Sequence, residues 1–74
     1  MKLSELKKGD RATILKVDTD ESLKSRLVSF GVARGSELSI EACSLGKQTI
    51  EIMVDDTLIG LRGEEASKIE VEKI

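Results

Sequence analysis

From residue 38 to residue 61, apolar side chains fall at every second position in three runs: Leu38, Ile40 and Ala42, then Ile50, Ile52 and Val54, then Ile59 and Leu61. Successive side chains of a strand point to opposite faces, so each run lays its apolar residues along one side of a strand. On a helix the same spacing would scatter them around the whole surface. Glu37, Ser39, Glu41 and Cys43 take the opposite face of the first run. Strands are therefore expected over 37–45, 49–54 and 57–62, each with one buried face.

Parity constrains the connections. If the first two apolar sets share a face, opposed residue numbers sum to an even number, and the loop between the strands has odd length, as Leu45-Gly46-Lys47 would provide. A two-residue turn there would send one set outward. Between the second and third runs, Val54 is expected opposite Ile59 and Ile52 opposite Leu61, across a two-residue turn at Asp56-Thr57.

The flanking segments follow different rules. Leu3 and Leu6, three apart, suit one short helical turn or loop that packs as a lid. Gly9-Asp10 is turn chemistry and leads into a strand over 11–18. Ala12 and Ile14 alternate there, but Val17 is out of phase, which a bulge near Leu15-Lys16 would repair. Over 20–30 the period changes: Leu23, Leu27 and Phe30 stand at i, i+4 and i+7, one face of a helix, with Leu27 and Phe30 read as core. Asp20 or Ser22 can cap its start, and Gly31 suits the left-handed residue that ends it. Gly35 marks a further turn, 64–67 a single helical turn, and 69–71 a last strand. The sum is an all-β chain with one short helix: about five antiparallel strands in a closed or nearly closed small barrel, a single domain over 1–74.

Composition narrows the function. A chain of 74 residues is too short for two ordinary domains. Cys43 is its one cysteine, so no internal disulfide can form, and a small unstapled domain fits the reducing cytoplasm. The first ten residues contain no apolar run of signal-peptide length, and no segment approaches the roughly 20 apolar residues of a membrane span, so direct membrane insertion is not expected. The 12 basic and 14 acidic side chains are mixed along the chain, and Phe30 is the sole aromatic. A nucleic-acid binder needs a concentrated basic face and usually a stacking platform, so nucleic acid is not an expected partner. Without histidine, the commonest metal ligand and general base are missing.

No Ser/His/Asp or Cys/His set, phosphate-binding glycine loop or metal motif is present, which points away from an enzyme and from a bound cofactor. Cys43 alone is a poor iron site. The acidic groups Asp18/Asp20/Glu21, Asp55/Asp56 and Glu64/Glu65 match no known cation loop and read as solvated turn charges. Leu45, Met53 and Leu58 have outward parity; if they merge, they form a docking surface, for which methionine is well suited. The sheet edges are a second such surface.

The ordered series Leu3-x-x-Leu6-x-x-Gly9, Ile14, Arg26-Leu27-x-x-Phe30-Gly31-Val32-x-x-Gly35, Leu38, Ile40, Ile50-x-Ile52, Leu58-Ile59-Gly60-Leu61-Arg62 and Glu65-Ala66-x-x-Ile69-x-Val71 resembles the FeoA family, and the related C-terminal domain of some iron-dependent repressors. The resemblance covers nearly the whole chain. Arg34 stands where the family usually has proline, Asp56 where it often has glycine, and the loop around Gly46 is shorter than the family's proline-containing loop. The resemblance implies an SH3-like barrel. It also implies a free-standing cytoplasmic accessory protein of ferrous-iron uptake, since Met1 opens the domain at once. Its implied partner is the FeoB-type membrane transporter, whose cytosolic part is a GTPase. Arg26, Leu27, Arg34, Met53 and Leu58 are the candidate partner-binding residues. Arg26 reads either as a docking residue or as a structural arginine paired with a carboxylate. Weak association between copies of the chain is left open. The rival classes are a small nucleic-acid-binding barrel, which would need a basic face with exposed aromatics, and a metal-sensing or carrier domain, which would need ligands the chain lacks.

Overall fold

The computed structural model of the chain describes residues 1–18 and 20–74. Five strands, β1 (Arg11–Val17), β2 (Glu37–Cys43), β3 (Thr49–Val54), β4 (Thr57–Arg62) and β5 (Ile69–Lys73), form one antiparallel sheet in the order β4-β3-β2-β1-β5. Helix α1 (Glu21–Ser29) connects β1 to β2, and the single turn α2 (Gly63–Ala66) connects β4 to β5. The buried apolar residues make one cluster inside the curled sheet. Leu3, which opens a short 3-10 turn, and Leu6, which follows it, are wholly buried and close one end as a lid. The Met1 carbonyl accepts the Val71 N–H at 2.8 Å, and Lys2 bridges to Glu70, so the N-terminal segment covers part of the outer edge of β5.

The bulge in β1 is where phase demands it: pairing with β5 shifts between Ile14 and Lys16. Ile14 therefore stays inside while Leu15 turns outward, 43% exposed.

The two hairpins differ from expectation, one by a bulge that changes its parity midway and the other by a two-residue slip that preserves parity. Ile40 faces Ile52, as the even sum requires, but a second bulge between Ile40 and Ala42 then places Ala42 opposite Glu51 and Cys43 opposite Ile50. The extra residue at Glu41 changes the parity, so an even number of residues, 44–49, separates the last paired positions, Cys43 and Ile50. Cys43 correspondingly packs against the core instead of facing out. Between β3 and β4, Val54 faces Thr57 and Ile52 faces Ile59, two residues from the expected register. The turn is Asp55-Asp56, both at positive φ (48° and 66°). A slip of two leaves every side chain on its face, and it keeps β-branched Thr57 out of the left-handed region, which aspartate tolerates better.

Helix α1 starts where Asp20 accepts the Leu23 N–H at 2.9 Å. It ends in a full Schellman pattern: Gly31, at φ 83°, donates to the Val28 carbonyl, and Val32 donates to Leu27, both at 2.9 Å. This closure corrects the assignment of Phe30. The chain turns back at Gly31 and seats Val32 beside Leu27, so Val32 is buried and Phe30 remains 45% exposed.

Candidate functional site

The bulge at Leu15 and the Schellman turn after α1 together create a groove. Its floor is Leu27 and Val32, both buried. Its walls are apolar too: Val17 and the outward Leu15 from the end of β1, and Val28 from the exposed side of α1. The open volume is about 530 Å³, within the range of clefts that take a small ligand or a few side chains. Lys16, Lys24 and Arg34 supply its basic side chains, and no carboxylate among the described residues lines it. Lys24 and Val28, four apart on α1, present one cation and one apolar group to the same side.

Ion pairing separates these three cations from five others, while Lys7, Lys8 and Lys68, which do not line the groove, are also outside any ion pair among the described residues. Lys2, Arg11, Arg26, Arg62 and Lys73 each lie within 4.0 Å of a carboxylate. Lys16, Lys24 and Arg34 enter no such pair among the described residues.

The five candidate residues divide among three places. Leu27 and Arg34 belong to the groove, one as floor and one as a basic side chain. Arg26, on the next face of α1, donates to Glu65 at 3.0 Å and so ties α1 to α2. Burial raises the Glu65 carboxyl, but the Arg62 N–H and the Arg26 guanidinium outweigh it and hold the group below its ordinary value. Met53 and Leu58 are directly paired across β3 and β4. They form a small apolar spot, half-buried at Met53 and exposed at Leu58. Leu45 does not join it: it stands almost fully exposed beyond the opposite end of β3, before Thr49.

Leu15, Lys16, Lys24 and Val28 were not among the sequence candidates. The out-of-phase bulge was the signal for Leu15, and the i, i+4 pair Lys24/Val28 opposite the core face of α1 was the signal for the helix. Their convergence with Arg34 comes from the fold. Cys43 borders a small hollow with Ser44 and Glu51, and among the described residues no three Cys, Asp or Glu side chains gather as a metal site.

A curled five-stranded antiparallel sheet around one core, closed by a short lid and carrying one helix beside an open groove, is an SH3-like β-barrel. The FeoA domain family matches residues 1–73, and the chain belongs to that family. A Campylobacter jejuni protein named Fe(2+) transport protein A is 39% identical over 74 residues, which span all of both chains. In Porphyromonas gingivalis, a fusion of Fe(2+) transport protein A with the Fe(2+) transporter FeoB is 34% identical over 74 residues, all of this chain and 9% of that protein. The solution structure of a FeoA protein from Chlorobium tepidum superposes with a TM-score of 0.94 at 35% identity, covering all of this chain and 70% of that one.

Proposed function

We propose that this chain is a cytoplasmic accessory protein of ferrous-iron uptake that docks onto the cytosolic GTPase part of a FeoB-type transporter and alters its assembly or GTPase cycle. The observation that carries this reading is the Porphyromonas gingivalis fusion, in which a region similar to the whole of this chain is covalently joined to the transporter. Covalent linkage holds two partners at a high effective concentration, and a free-standing chain must achieve the same association through its own surface. The unpaired basic groove and the Met53/Leu58 spot are surfaces of the required kind.

The test is a titration of the labelled chain against the GTPase part of the transporter from its own organism, with GDP and then with a GTP analogue, at low and high salt. Saturable binding supports docking, and a nucleotide-dependent affinity connects it to the GTPase cycle. Binding only to the intact transporter in detergent overturns the GTPase part as the contact. No binding to either form overturns the reading as a whole.

A further inference from the structure

We infer that the groove between α1 and the end of β1 is the seat of an acidic amphipathic segment of a partner protein, whose bulky apolar side chains rest against Leu15, Val17 and Val28 above the buried Leu27/Val32 floor while its carboxylates meet Lys16, Lys24 and Arg34. It deepens the docking reading only by supplying its surface; the groove's ligand chemistry stands independently of which protein carries the segment.

Four observations define the occupant. The floor and walls are aliphatic and concave, so they receive inserted side chains, which a flat bilayer surface does not offer. The cations come from three separate elements: β1 (Lys16), α1 (Lys24) and the loop before β2 (Arg34). None is neutralised by a carboxylate among the described residues, although the chain as a whole carries a net charge of −2 and pairs five of its other cations. Local positive charge around an apolar seat selects carboxylates flanking apolar residues, and rejects a basic segment by like-charge repulsion. The walls contain no aromatic side chain on which a base or sugar could stack.

Bulge and helix cap both serve this seat. Leu15 reaches the groove because the β1 bulge turns it away from the core, a common use of bulges beside binding sites. The return of the chain at Gly31 brings Val32 and Arg34 to the helix end instead of burying Phe30 there.

The experiment uses the full chain, isotopically labelled, and three short helical peptides with the same two leucines one turn apart. They carry glutamate, glutamine or lysine at the flanking positions. Amide shifts are followed by NMR at low and high salt, with anionic phospholipid vesicles as a fourth probe. Saturable shifts confined to Leu15, Val28 and the 31–35 loop are expected with the glutamate peptide. Its affinity should exceed the glutamine peptide's by about tenfold, and the advantage should fall at high salt. Lys24→Glu with Arg34→Glu, both on exposed side chains, should abolish the preference while the spectrum remains folded. Lys8→Glu, on an exposed side chain that does not line the groove, should leave it unchanged. Equal binding of the three peptides, shifts centred on Met53 and Leu58, preferential binding to the vesicles, or concentration-dependent self-association that fills the groove would each overturn the inference. No transporter is present, so failure here and failure of the docking reading are separate results.

Discussion

Nη2 of Arg26 donates to Oε1 of Glu65 across 3.0 Å, and the same oxygen accepts the Arg62 backbone N–H at 2.9 Å. One carboxylate thus joins two helices through residues 39 apart in the chain. Burial raises the Glu65 pKa, the two donors lower it, and the donors prevail, leaving it below the ordinary glutamate value. A carboxylate depressed in the folded state stabilises the protein above its unfolded pKa and loses that contribution as pH falls through the folded value. Glu65→Gln should therefore cost about 1 kcal/mol at neutral pH, and the gap from wild type should narrow in acid, below the ordinary glutamate range. Urea denaturation at both conditions checks this; a gap independent of pH would contradict it.

Asp55 and Asp56 both occupy the left-handed region, as a two-residue type I′ turn requires. Asp56→Gly relieves the positive φ but adds freedom to the unfolded chain, so a gain below about 1 kcal/mol is expected. Asp56→Val should lose more than about 1 kcal/mol, because a β-branched side chain fits that region worst. Thermal melts of the two variants should move in opposite directions.

Gly31 ends α1 at φ 83°, and a Cβ built on it meets nothing within 4 Å. The penalty for Gly31→Ala is thus one of backbone conformation, about 1 kcal/mol. Chemical denaturation measures it. A cost near zero would mean that the Schellman closure does not hold the helix end.

Phe30 and Leu27 stood together on the expected core face of α1, but one is 45% exposed and the other 1%. Leu27→Ala should destabilise by about 2–5 kcal/mol. Phe30→Ser should stay within about 0.5 kcal/mol of wild type. Comparable losses from the two would return Phe30 to the core.

Local rules made much of the barrel readable in advance. Alternation identified β2, β3 and β4 because a half-buried strand needs an apolar residue at every second position. The failed phase at Val17 located the β1 bulge, since Ala12, Ile14 and Val17 cannot all face one side of a regular strand. The same rules could not choose between registers that differ by two residues, because both keep Ile52 and Ile59 inside; turn stereochemistry at Asp55-Asp56 decided that. Nor could they place the β2 bulge, since Ala42 and Cys43 are each small enough to face inward.

The amino-acid order by itself determined the element types, most of their faces and the left-handed stop at Gly31, and it narrowed the helix cap to Asp20 or Ser22, because each depends on bonds and periodicities within a few residues. Only the tertiary structure decided that Val32 would replace Phe30 against Leu27, that Arg26 would meet Glu65, and that Lys16, Lys24 and Arg34 would converge on one apolar groove. Those residues lie on separate elements, and their meeting depends on bulges, register and close packing of the whole core, where a one-residue change in any strand moves every distant neighbour.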